Sequence, residues 1–238
     1  MPAWRSFGRA NMRTNTMSKP ALLVAVILSL AVSVAGCDGP PPPSNTDYLE
    51  LPASGTESLK DSFDGESNDW AFFDGTWEFL DRDGNGVLAQ TASDLGRRVF
   101  PLALWKQGRF SDVDVSVRFR PVSGEMDASG GIVFRARDGG NYYIARANSL
   151  EDNIRLYTFI DGKRNQIAGT RIDAPALGQW HTLRAVAVGP RIQVWLDGTL
   201  FIDHKDQTYA DGYVGVWTKA DAVTDFDDLS VRGVPVGE

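Results

Sequence analysis

From Asp61 onward, apolar and polar residues alternate with a period of two, and turn residues break the alternation roughly every 8 to 12 positions. Residues 112–120, DVDVSVRFR, place Val113, Val115, Val117 and Phe119 on one face and charged groups on the other. In the same way Ile132, Phe134 and Ala136 oppose Val133, Arg135 and Arg137. Tyr143, Ala145 and Ala147 oppose Tyr142, Arg146 and Asn148, and Ile154, Leu156 and Ile160 oppose Asn153, Arg155 and Tyr157. Asp161-Gly162 is a hairpin signal. WHTLRAVAVG and RIQVWLDG meet at Gly189-Pro190, TLFIDH follows Asp197-Gly198, and GYVGVWTK and DFDDLSVRG close the series. No window carries a helical stripe, so the pattern predicts an all-β, antiparallel two-sheet sandwich over 61–234.

The preceding residues follow a different pattern. Residues 1–20 are polar and carry Arg5, Arg9, Arg13 and Lys19, whereas 21–36, ALLVAVILSLAVSVAG, are apolar without a charge. At 1.5 Å per residue this run makes a helix of roughly 24 Å, short for a bilayer core of about 30 Å but suited to a signal peptide. It ends in Val34-Ala35-Gly36-Cys37, which resembles the bacterial lipoprotein box, in which the cysteine is lipidated. That resemblance implies a signal peptide over 1–36, a lipid anchor on Cys37 and, from Asp38, retention in the inner membrane facing the periplasm. Pro40 to Pro43 and the polar residues that follow predict a disordered, semi-extended tether over 37–60.

Charge and cysteine content narrow the partners. The chain has 24 Lys+Arg against 31 Asp+Glu for a net charge of −7, and the first 36 residues contribute only cations, so the predicted domain is more acidic still. Such a body repels polyanions that need a broad basic face, and nucleic acid is not an expected partner. With a single cysteine there is neither an intramolecular disulfide nor a cysteine zinc site.

Residues 178–203, GQWHTLRAVAVGPRIQVWLDGTLFID, resemble the central hairpin of concanavalin A-like and laminin G-like jelly rolls, with its W-H-x-L and I-x-V-x-x-D-G strands. Residues 142–164, YYIARANSLEDNIRLYTFIDGKR, and 215–229, GVWTKADAVTDFDDL, resemble exported bacterial proteins related to the 3-keto-disaccharide hydrolase domain, or family-16-like glycoside hydrolases. The resemblance spans about 61–232 and implies a jelly roll. The E-x-D-x-x-E strand of family-16 glucanases does not occur, and the strand at 142–149 has Tyr142, Arg146 and Asn148 where better-studied relatives carry E-V-Q-I-x-D.

On the non-core faces of these strands lie Arg135, Arg146, Asn148, Asn153, Arg155, Tyr157, Trp217 and Lys219, with Glu151 and Asp221 in adjoining turns. Gathered on one sheet face, forked donors, carboxylates and an aromatic platform would suit a carbohydrate; dispersed, they would be a solvated face of cross-strand charge pairs. The leading expectation is a lectin-like lipoprotein that binds carbohydrate, with Trp217 as its stacking platform. The alternatives are a hydrolase or lyase of 3-keto-disaccharides, with Glu151 or Asp221 as acid or base, and an adaptor for an envelope protein. Asp81-Arg82-Asp83-Gly84-Asn85-Gly86 fits half a calcium loop and also a hairpin turn. Asp227 shares by alternation the face of Leu229 and Val231, so Asp61 or Asp64 with Asp227 or Asp228 is a candidate structural calcium site unless a bulge turns Asp227 outward.

Overall fold

A computed structural model describes residues 48–237; the apolar run, Cys37, Asp38 and the proline tract lie outside the described residues. The described chain forms strands β1 (Glu57–Asp61), β2 (Trp70–Phe73), β3 (Trp77–Asp81), β4 (Gly86–Gln90), β5 (Leu102–Ser123), β6 (Ser129–Asp138) and β7 (Asn141–Asn148). They are followed by β8 (Asn153–Ile160), β9 (Lys163–Arg171), β10 (His181–Val188), β11 (Arg191–Leu196), β12 (Thr199–Lys205), β13 (Gly212–Trp217) and β14 (Val223–Pro235). All pairings are antiparallel.

Hydrogen bonding runs continuously through the strands because β5 belongs to two sheets. Its second half pairs with β10 on one side and β14 on the other, giving a first sheet in the order β12-β11-β10-β5-β14, extended by β1 and by β4-β3. Its first half pairs with β2 and β13, giving a second sheet in the order β2-β5-β13-β6-β7-β8-β9. Between the two halves the register jumps, Trp105 facing Val214 and Phe110 facing Gly212, so residues 106–109 bulge and bend the strand from one sheet into the other.

The alternating apolar faces meet between the sheets. Val113, Val115, Val117 and Phe119 of β5 join Ile132, Phe134, Tyr143, Ala145, Ile154, Leu156, Leu183, Ala185, Val194 and Val231 in the main core. Ile160 departs from its predicted inward position: it ends β8 and is exposed. A second apolar cluster of Leu102, Leu104, Val133, Ala136, Tyr142, Ile144, Tyr157, Phe159 and Trp217 forms on the opposite, outer face of the second sheet.

The folded region begins earlier than the predicted boundary at residue 61. Leu51 is buried, the Leu49 amide donates to Gln193 Oε1 at 2.9 Å, and β1 pairs with β14. The polarity of 48–60 hid this, because β1 covers one edge of β14 with mostly exposed side chains.

Candidate functional site

Two sheet faces point away from the core, and their charges are balanced differently. On the first sheet, acids and bases pair across strands. Arg120 binds Asp225 through Nε at 3.1 Å and Nη2 at 2.6 Å, Arg184 holds Asp114 through two bonds of 2.8 Å, and Arg191 pairs with Asp203. An open cleft of about 390 Å³ there is lined by Tyr48, Thr182, Arg184, Trp195 and Gly198, but its arginine is already committed to Asp114 and lies 4.8 Å over Trp195.

The outer face of the second sheet is assembled differently. Register aligns Leu102, Trp217, Gly131, Arg146, Arg155 and Gly169 in a single row across six strands. A parallel row holds Ser129, Asn148, Asn153 and Arg171, and on the other side lie Val133, Ile144 and Tyr157, then Tyr142, Phe159 and Arg164. One end of the face is thus polar and the other aromatic. Gly131 lets the Ile144 side chain pack between Trp217 and Arg146: a Cβ there would approach Ile144 Cδ1 to 2.6 Å and Arg146 Cβ to 3.2 Å.

Arg146 is the centre of the polar end and fully buried. Its Nη1 donates to Asn153 Oδ1 at 3.0 Å, and its Nη2 to Glu151 Oε2 at 2.7 Å and to the Tyr157 hydroxyl at 3.2 Å, while Nε has no partner. Arg155 reaches Glu151 Oε2 at 3.4 Å and Tyr157 at 3.3 Å. Partial burial would raise the Glu151 pKa, but Arg146, Asn153 and Arg155 outweigh it and hold the carboxyl at about 2. Glu151 is therefore a fixed anion, poorly suited to act as an acid or base near neutrality. Asn148 caps the β7–β8 turn, its Oδ1 accepting from the amides of Leu150 and Glu151, and its buried Nδ2 is unpartnered.

Trp217, Arg135 and Asp221 do not serve as the sequence led us to expect. Trp217 is on the outer face but completely buried, with Phe100 stacked on it at 5.8 Å and 15°, so it is no open platform. Alternation assigns the face but cannot reveal a loop lying over it. Arg135, at φ 50°, sits in a bulge that shifts the phase of β6 and sends Ala136 to the outer cluster. Its guanidinium donates to the carbonyls of Ser111, Gly189 and Tyr209, apart from the Arg146 network. Asp221 accepts the amides of Glu125, Met126 and Asp127, and although burial acts to raise its pKa, those three bonds pull it below the usual carboxylate range. It clamps the 124–127 loop, which brings Asp127 to the site. Lys219 then donates to Asp127 Oδ2 at 3.0 Å, and Ser129 Oγ donates to Asp127 Oδ1.

The proposed calcium ligands are also engaged elsewhere. A register shift between Asp227 and Ser230, with Asp228 at φ 49°, turns Asp227 outward, where it accepts from Asn85 Nδ2 at 3.1 Å and Arg118 Nη1 at 3.3 Å. Asp228 also takes Arg118, Asp61 accepts from the Phe63 amide and Trp70 Nε1, and Asp64 accepts from Ser62. Residues 81–86 form the β3–β4 turn, with Arg82 and Asn85 exchanging backbone bonds. Among the described residues no group of three or more His, Cys, Asp or Glu side chains could hold a metal ion.

Sequence reasoning missed Arg164, Asp127 and Phe100. Arg164 lies in β9, whose largely exposed face lacks an apolar alternation, although the Asp161-Gly162 hairpin implied a strand after it. Its guanidinium carbon lies 4.6 Å from the Tyr157 ring and 5.2 Å from the Phe100 ring.

Comparison with known proteins places this geometry in context. Residues 58–232 match the 3-keto-alpha-glucoside-1,2-lyase-like domain family. A levanase of Bacillus subtilis (strain 168) is 28% identical over 110 residues, which are 45% of this chain and 16% of the levanase, so the chain spans a small part of that relative. Among solved structures, the carbohydrate binding module CBM66 from Bacillus subtilis has a TM-score of 0.57 at 23% identity, covering 68% of this chain and 94% of the module. A Bacillus subtilis protein with a galectin-like fold has a TM-score of 0.56 at 12% identity over 73% of this chain and 94% of its own. The exoplasmic/lumenal domain of VIP36 in its calcium- and mannose-bound form has 0.54 at 14%, over 76% and 91%. At these identities the likeness is one of fold, and the fold is the jelly roll.

Proposed function

Starting from a chain that belongs to the 3-keto-alpha-glucoside-1,2-lyase-like domain family, we propose that it binds carbohydrate on the outer face of its second sheet. The observation that carries this reading is the row Trp217–Gly131–Arg146–Arg155, which sets a buried aromatic wall beside a knot of arginines around Glu151. Sugars suit such a border, since their C–H faces lie against apolar surface while hydroxyls take planar, fixed hydrogen-bonding groups. Glu151 Oε2 is occupied by protein donors, which leaves Oε1 to accept a hydroxyl. The levanase, the carbohydrate binding module and the mannose-bound VIP36 domain are sugar-handling proteins by name, which supports the same reading.

The family's description mentions a lyase acting on 3-keto-alpha-glucosides, and that activity is the second reading. It needs a base that titrates near neutrality; Glu151 is held at about 2 and Asp221 is fully engaged by backbone amides, so binding is the better supported. The test is a glycan array probed with the full chain, followed by product analysis. Specific binding without turnover is expected, with loss of at least tenfold in affinity for Arg155→Ala, whose partly exposed side chain can be removed without opening the core. Release of product from a 3-keto-disaccharide would establish the second reading instead, and no glycan binding would reject the first.

We also propose that Cys37 carries a lipid anchor and that Asp38 keeps the protein in the inner membrane facing the periplasm, on the strength of the charged, apolar and Val34-Ala35-Gly36-Cys37 order. Cys37→Ser should release the protein from the membrane fraction or leave an unprocessed precursor. Absence of labelling by a palmitate analogue in the unaltered chain would reject the anchor.

A further inference from the structure

Building on the carbohydrate reading, we propose that the site selects acidic saccharides, recognising the carboxylate of a uronic acid residue through Arg164 and Arg155. The first observation is charge. In a chain with a net charge of −7, the network on this face gathers Arg146, Arg155, Arg164 and Lys219 near the carboxylates of Glu151 and Asp127. Glu151 serves Arg146 and Arg155, and Asp127 serves Lys219. Arg164 has neither a carboxylate nor a hydrogen-bond acceptor of its own; its guanidinium carbon lies near the rings of Tyr157 and Phe100, and its Nη1 is buried without a partner.

The second observation is polarity. The unpartnered buried atoms in the rows of this face include Arg146 Nε, Arg164 Nη1 and Asn148 Nδ2, all three donors, and beside them lie the hydroxyls of Ser149 and Thr218. A neutral sugar brings hydroxyls that donate as well as accept, and leaves such donors only partly served. A carboxylate brings only acceptors, and its planar pair of oxygens matches the fork of a guanidinium. Burial depresses the affinity of Arg164 for its proton, and the like charge of Arg146 adds to it; an anion at Arg164 relieves both. The opposite sheet face gives the contrast, since there each arginine named above already holds an aspartate.

The test compares three probes on the full chain by titration calorimetry: a galacturonate oligosaccharide, the same oligosaccharide with its carboxyls reduced, and a sulfated dextran oligosaccharide. The galacturonate is expected to bind at least tenfold more tightly than its reduced form, with an affinity that falls as salt rises. Arg164→Gln should bring that ratio close to one, while Arg164→Lys should retain part of it, and melting curves should show both variants folded. If Arg164→Gln does not fold, Arg155→Gln must lower the ratio in its place. Equal binding of acidic and reduced forms would overturn the selectivity and leave the saccharide reading standing. Equal binding of the sulfated dextran would also overturn it, identifying a general polyanion surface. If none of the three binds, and no sugar on the array does, both readings fall together.

Discussion

Glu151 shows how far one residue's neighbours can change what it is able to do. In the folded chain its carboxyl titrates at about 2 against an ordinary 4.5, so the native state favours the ionised form. The resulting stabilisation is fully present above about pH 4.5 and is lost as pH falls from there through about 2. Glu151→Gln should therefore flatten the fall of Tm across that acid window, which melting curves at pH 5, 4, 3 and 2 would measure; an unchanged slope would mean the arginines do not hold the charge. Trp217 makes the complementary case. Completely buried beneath Phe100, it should cost about 3–5 kcal/mol when cut to Ala, read from the denaturant midpoint. A folded, equally stable Trp217→Ala protein would mean that the ring is not part of the second apolar cluster.

At the scale of elements, the segment 215–229 acts as a clamp. Asp221 gathers three amides of the 124–127 loop, Asp225 takes Arg120 and Arg82, and Asp227 takes Arg118 and Asn85. Asp221→Ala would strand those amides and should destabilise the protein on the order of 3 kcal/mol, with hydrogen-exchange protection lost at Glu125, Met126 and Asp127. Protection that survives would assign the loop's order to other contacts. The same segment indicates what a sequence can reveal. Strands with an apolar face, such as Val113 to Phe119 and Tyr143 to Ala147, were legible because one side of each lies in the core. What alternation could not supply was the bulge at Arg135, and the one at Asp228 stood in the sequence only as an alternative, since one added residue reverses every later side chain. It also could not supply β9, an edge with little apolar surface, or Phe100, which comes from a connecting segment. Of the site, Arg146, Glu151, Asn153, Arg155 and Tyr157 were legible as neighbours across one hairpin; Arg164 and Asp127 came from elements with no such signal.

For the whole molecule the shared strand governs behaviour. With β5 hydrogen-bonded to β10 and β14 in one half and to β2 and β13 in the other, neither sheet can lose its pairing without exposing the other's core face. The described domain should thus unfold in a single transition, with calorimetric and van't Hoff enthalpies equal; a ratio well above one would reveal sheets that melt separately. The strand has a mechanical consequence as well. A pull from the amino-terminal side first loads the contacts of Leu49 and Leu51 and then β1, whose five register pairs with β14 carry load together in shear when the strand is drawn along its axis. From β14 the tension passes to β5, and there it turns from one sheet into the other through covalent backbone. Cargo held on the second sheet would be hauled by a continuous cable, and the soft apolar seam between the sheets would bear almost none of the strain.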